Sequence, residues 1–248
     1  MRIFIAILIF VMASLYLTGH SQTAVAPQDS SATINQTDAQ GMKQGRWVKT
    51  DRRGVKKYEG QFKDDLPFGT FTYFYANGKI KAVSDIFDQG NSSSTITYYE
   101  NGKIMAKGWY SDREKDSLWS YYNQRGDLVS QEFYQDKLKY GEWKLFYENG
   151  QVSEIITYSN NLENGPWLQY YKDGSIKLGS QFINGVLNGG TKFYYKDGTL
   201  KATGKYEDGL KTGKWEYFTR KFELQRIEVY ESGTLMKEEV FIEVEGEE

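Results

Sequence analysis

The stretch GEWKLFYENGQVSEIITYSNN, Gly141–Asn161, sets two runs of aromatic and β-branched residues on either side of Asn149-Gly150. Asn-Gly between two such runs is the strongest short hairpin signal, because a type I′ turn needs positive φ at both central positions. Nothing in the stretch follows a helical period. The pattern then returns: Gly54, Gly78, Gly102, Gly126, Gly150, Gly174 and Gly198 stand 24 residues apart, preceded in five cases by Asn77, Asn101, Asn149, Asp173 or Asp197. A fixed period decides the architecture before any local propensity does.

Counted from Gly45 as position 0, eight units begin at residues 45, 69, 93, 117, 141, 165, 189 and 213 without a gap. Position 2 holds Trp47, Phe71, Trp119, Trp143, Trp167 and Trp215, with Thr95 and Thr191 as exceptions. Position 17 is Phe62, Ile86, Tyr110, Tyr134, Tyr158, Phe182, Tyr206 and Tyr230. Each unit reads as a hairpin with strands near positions 2–6 and 11–18. A second turn, carrying Asp64, Asp88, Asp112, Asp136, Asn160, Asn184 and Asp208, links it to the next. A two-residue loop at positions 8 and 9 sets 6 opposite 11, 4 opposite 13 and 2 opposite 15. Positions 2, 4, 6, 11, 13, 15 and 17 then share a packed face. Position 15 is often tiny (Gly60, Ser84, Gly108, Ser180, Gly204), which leaves room for the position-2 ring. The far face holds positions 3, 12, 14 and 16, with Lys57, Lys81, Lys177 and Lys201 at 12, and also the aromatic column at position 5. The expected fold is all-β: an elongated single-layer antiparallel sheet of about eight tandem 24-residue hairpins.

Units such as Gly141–Asn161 and GPWLQYYKDGSIKLGSQFINGVLNG (Gly165–Gly189) resemble the MORN-repeat family, in particular its bacterial variant repeats. The resemblance spans residues 45–236 and rests on G-x-W…Y-Y-x-[ND]-G-x-[IL] repeated in phase. It implies one hairpin per repeat in a single-layer sheet. An antitoxin role is attached to some similar bacterial repeat proteins. The third, fourth and eighth units depart from the pattern: Ser93 and Ser117 replace the opening glycine, and Lys221-Phe222 replaces the turn.

Outside the repeats, residues 1–22 read as a signal peptide: Arg2, an apolar run over Ile3–Thr18, then small or polar residues. An exported chain is expected, in the periplasm, at the cell surface or outside the cell, or membrane-anchored if uncleaved. Residues 23–44 read as a flexible linker and residues 237–248 as an acidic tail that begins with a last strand.

Chemistry is sparse. The chain has no Cys and one His, His20, inside the leader region. Disulfides, thiolate metal sites and thiol or imidazole catalysis are therefore not expected, and the chain reads as non-enzymatic with no cofactor. A formal net charge of −2 argues against nucleic acid, and the interspersed charges argue against strong membrane binding. The stacked Asp64, Asp88, Asp112 and Asp136 offer oxygen ligands to Ca²⁺, but successive copies are held roughly 10 Å apart and turn chemistry already explains them. The candidate partner surface is the position-5 stripe: Phe74, Tyr98, Tyr122, Phe146, Tyr170, Tyr194 and Phe218. It would receive a protein partner, or alternatively a glycan or peptide, unless curvature buries it as core. Open end strands would also permit edge-to-edge dimers.

Overall fold

A computed structural model of the chain describes residues 33–243. The signal segment, residues 23–32 of the linker and residues 244–248 of the tail lie outside the described residues. The chain divides after Thr33, and every strand lies in the Ile34–Glu248 unit. There, twenty antiparallel strands form one open sheet in chain order, the short Leu138–Lys139 and Val186–Leu187 continuing, across a break, into the strands that follow them. The second strand of each unit covers positions 11–18, as in Ile80–Phe87, Val152–Ser159 and Leu200–Glu207. The first strand is longer than expected, because it starts before the opening residue of the unit: Leu66–Phe74, Glu114–Tyr122, Leu162–Tyr170 and Leu210–Phe218. The sheet also extends beyond the repeats. Gln36–Thr37, within the stretch read as linker, pairs with Lys43–Thr50, and Thr234–Val240 forms the last strand.

Register follows expectation in the middle of each hairpin, with Phe71 opposite Ser84 and Tyr73 opposite Ala82, but Phe74 at position 5 faces Ile80 at position 11. The turn is the reason. Gly78 N–H donates to the Tyr75 carbonyl at 3.0 Å and Tyr75 N–H to the Lys79 carbonyl at 2.8 Å. Gly78 has φ +81°, whereas Asn77 stays at negative φ and accepts from the Lys79 N–H at 3.0 Å. This is a type I turn closed by a left-handed glycine with a bulge, not the expected type I′ turn. Type I′ geometry occurs instead at the opposite edge, where both central residues have positive φ: Asp64 and Asp65, Asn160 and Asn161, Asp208 and Gly209.

The bulge shifts the alternation of the second strand. Position 11 joins position 5 on the far face, where Ile80 and Ile176 are exposed. Position 12 moves to the packed face beside position 6. Lys81 Nζ lies 5.9 Å from the Tyr75 ring centre and Lys201 Nζ lies 5.4 Å from Tyr195. Both positions therefore lie on the face opposite to the one expected.

The core sits on the packed face: Phe62, Phe71, Ala106, Trp119, Leu178, Ala202 and Trp215 are buried. Three position-2 rings cover a glycine at position 15 of the preceding unit: Phe71 lies on Gly60, Trp119 on Gly108 and Trp215 on Gly204. Where position 2 is threonine, position 15 is serine, and the hydroxyls bond across the gap: Ser84 to Thr95 at 2.8 Å and Ser180 to Thr191 at 2.6 Å. At these five junctions, matching of size and polarity across the column locks one unit onto the next.

Candidate functional site

All seven members of the position-5 stripe are half-buried on the far face. Lysines cover part of it, with Lys56 Nζ 5.0 Å from the Phe74 ring centre and Lys107 Nζ 5.8 Å from Tyr122. Phe218 stacks on Phe222 at 5.0 Å. The backbone carbonyls of the stripe carry a ladder of their own. Tyr75 Oη donates to the Tyr98 carbonyl at 2.6 Å, Tyr147 to Tyr170 at 2.7 Å, Tyr171 to Tyr194 at 2.7 Å and Tyr195 to Phe218 at 2.9 Å. The position-6 tyrosine thus ties its hairpin to the next in five units, the fourth having Asn123 there instead.

The far face also carries a larger apolar feature away from the stripe. Phe87 stacks on Trp109 with ring centres 5.2 Å apart and planes 15° apart. Leu118 faces Phe133 across the adjoining strand pair. Phe87 and Leu118 are 46% and 47% exposed and Phe133 36%, so nothing in the sheet covers them. Four units further on, the corresponding residues are Ile183, Lys205, Lys214 and Val229. Copying the repeat therefore does not demand this patch.

On the packed face two clusters recur 96 residues (four units of 24) apart. In the first, Glu132 accepts from Tyr134 Oη at 2.9 Å, and Lys115 donates to Tyr121 over the Trp119 ring. In the second, Glu228 is buried, with its side chain accepting from Tyr217 Oη at 2.5 Å, Tyr230 Oη at 2.9 Å and Arg226 Nε at 3.0 Å. Burial alone would raise the Glu228 pKa, but the two phenol donors and the Arg226 and Lys211 charges outweigh it and hold the carboxyl below the usual range. Burial, then the Glu132 charge, pushes the Tyr121 phenol well above its ordinary value, and Tyr217 rises through burial and Glu228. Ionised carboxylate against neutral phenol is a stable clamp within a hairpin, across its two strands. It also leaves neither phenol deprotonated for use as a nucleophile.

Beside the second cluster is an open groove of about 270 Å³, lined by Tyr171, Lys177, Phe193, Lys201, Tyr206, Lys211, Trp215 and Tyr217 among others. Tyr206 and Phe193 pack on Trp215 with centres at 5.1 and 6.4 Å. Lys211 Nζ sits 4.5 Å above the Trp215 ring and donates to Tyr217 at 2.9 Å. Among the described residues, no group of three or more His, Cys, Asp or Glu side chains could hold a metal ion.

The repeat pattern has a counterpart among known families. The model of the MORN repeat variant matches residues 69–84, 95–112 and 139–160. The chain carries MORN-variant repeats. The described sheet is a repeat scaffold built of one hairpin per 24-residue unit. No curated protein matches the chain. Among solved structures, TarM overlaps 38% of this chain at 19% identity, with this chain covering 20% of TarM and a TM-score of 0.28. A TarM mutant from S. aureus in complex with Fondaparinux, alpha-GlcNAc-glycerol and UDP overlaps 39% of this chain at 18% identity, covering 19% of that chain, with a TM-score of 0.30. TcdB2-TccC3-TEV overlaps 75% of it at 11% identity, covering 12% of that chain, with a TM-score of 0.22. The chain thus spans about a fifth or less of each of these proteins, and overlaps this loose bear on neither its fold nor its role.

Three features escape a reading of the MORN units as copies. The position-6 tyrosine ladder is visible as Tyr75, Tyr99, Tyr147, Tyr171 and Tyr195, each directly after a position-5 aromatic. The Phe87–Phe133 patch shows as apolar residues at positions usually polar. The groove depends on lysines that only the bulge brings to the packed face.

Proposed function

We propose that this MORN-repeat chain is an exported, non-enzymatic scaffold that binds a protein partner at the cell envelope or outside the cell. The reading rests on one observation above others: exposed Phe87, Leu118 and Phe133, with half-buried Trp109 stacked on Phe87, form an apolar patch that no second layer covers among the described residues. Clustered exposed apolar residues mark interaction sites, and aromatic anchors dominate interface energetics. The position-5 stripe, Phe74 to Phe218, runs along the same far face and extends the contact surface towards the other edge. The apolar run Ile3–Thr18 supports export. Absence of cysteine, and a single histidine in the leader region, support a binding rather than a catalytic role.

The test uses full-length protein and a Trp109→Ala/Phe133→Ala variant in parallel pulldowns from envelope extract, with cell fractionation alongside. A partner retained by the wild type and lost by the variant, at unchanged melting temperature, is the expected result. Equal retention by both proteins sinks the patch as the docking surface. Recovery of the protein only in the cytoplasm sinks the exported reading.

A further inference from the structure

We propose that the packed-face groove of the sixth to eighth units binds an acidic sugar, a single hexose ring bearing a carboxylate or a sulfate. This site faces away from the docking patch described above and does not rest on that reading.

The first ground is the chemistry of the lining. Phe193, Tyr206, Trp215 and Tyr217 present aromatic surface, which suits the C–H face of a pyranose. Lys177 and Lys201 are exposed at the groove, and neither has a carboxylate within 4.0 Å among the described residues. Tyr206 Oη makes no hydrogen bond to another described residue, so a donor and acceptor stands free between rings and ammonium groups. The lining holds no carboxylate; Glu228 beside it is already held by Arg226, Tyr217 and Tyr230, and Asp173 and Asp197 reach the groove only through their charge on Tyr171. The local charge is therefore positive on a chain of net charge −2, and an anion fits it where a neutral ring would leave the lysines unpaired.

The second ground is size. At about 270 Å³ the groove falls just below the range of drug-sized pockets, roughly 300–1,000 Å³, which suits one substituted ring and not a folded partner.

The third ground is that the repeat does not require these residues. Four units earlier the equivalent positions are Tyr75, Lys81, Thr97, Met105, Tyr110, Lys115, Trp119 and Tyr121. The clamp, the tryptophan and the position-6 tyrosine recur there. Phe193 and Lys201 do not, since Thr97 and Met105 stand in their places. The sheet thus tolerates both replacements, and the complete constellation occurs once.

The equivalence supplies the test. Full-length protein is titrated by calorimetry with glucuronate, glucose 6-sulfate, glucose and AMP, and the Lys201→Met and Phe193→Thr variants are titrated in the same way. Saturable binding of glucuronate or the sulfated sugar, absent for glucose and AMP, is expected. Lys201→Met should weaken it about tenfold, the loss of one charge-assisted contact, and added salt should weaken it further. Both variants should keep the wild-type melting temperature to within a few degrees. No saturable binding of either acidic sugar overturns the proposal. So does equal affinity for glucose or AMP, or an unchanged affinity in Lys201→Met.

Discussion

A methyl group added at Gly204 would land inside the Trp215 ring, because the position-2 tryptophan lies flat across the position-15 glycine of the preceding unit. The ring is almost wholly buried, at 1% exposure, so it has no open side to move into. Overpacking a filled site costs about 1–3 kcal/mol. Gly204→Ala should therefore lower the melting temperature by several degrees, at about 2–4 °C per kcal/mol for a chain of this size. Gly190 is the control. It is neither left-handed nor close to any atom within 4 Å of a built Cβ. Gly190→Ala should leave the melting curve where it is, and equal losses for the two variants would show that space under Trp215 is not what Gly204 provides. The tiny position 15 was legible in the sequence, and so was the idea that an aromatic fills it. Which unit supplies the aromatic was not. Register within a hairpin puts Trp215 opposite Glu228, its own position 15, and only the stagger between hairpins carries the ring onto Gly204.

At the scale of the hairpin, the Asn-Gly turn shows where pattern reading stops. Asn-Gly suits a type I′ turn, and it also suits a type I turn followed by a left-handed glycine. Both place glycine at position 9, and they differ by one residue in what lies beyond it. That residue decides which face positions 11 and 12 occupy. It moved Ile80 out to solvent and Lys81 in beside Tyr75, and it assembled the lysine-lined groove that the sequence assigned to the other side. Ala76 tests the turn. It occupies the second position of the turn Tyr75–Gly78, at negative φ, and its N–H makes no turn hydrogen bond. Proline is favoured there in a type I turn and should stabilise by about 0.4–1 kcal/mol through the unfolded chain. A type I′ loop at Asn77-Gly78 would instead place Ala76 in the strand ladder, where proline removes a bond. Ala76→Pro is expected to raise the melting temperature by about 1–4 °C, measured by circular dichroism. A fall would restore the two-residue loop.

Over the whole sheet, the 24-residue period conceals a longer one. Thr95 and Thr191, Trp119 and Trp215, Glu132 and Glu228 each stand four units apart, and so do the Ser84–Thr95 and Ser180–Thr191 hydroxyl pairs. Contacts between units run only to the next hairpin, so stability is a sum of local terms in which each position 15 must suit the following position 2. A residue's contribution then depends on its neighbour, and changing the neighbour should reverse its sign. In the full chain Ser84 bonds Thr95, both are buried, and Ser84→Gly strands the threonine hydroxyl at a cost of about 1–3 kcal/mol. Deleting the third unit, residues 93–116, joins Ser92 to Ser117 without a change of phase and sets Ser84 under Trp119, where the intact sheet has Gly108. In that shortened chain the serine side chain occupies space the ring needs, so Ser84→Gly should raise the melting temperature. The four proteins form a double-mutant cycle read by thermal denaturation. Opposite signs of the Ser84→Gly effect in the two backgrounds are expected. The same sign in both would mean that the column between units does not determine how the hairpins join.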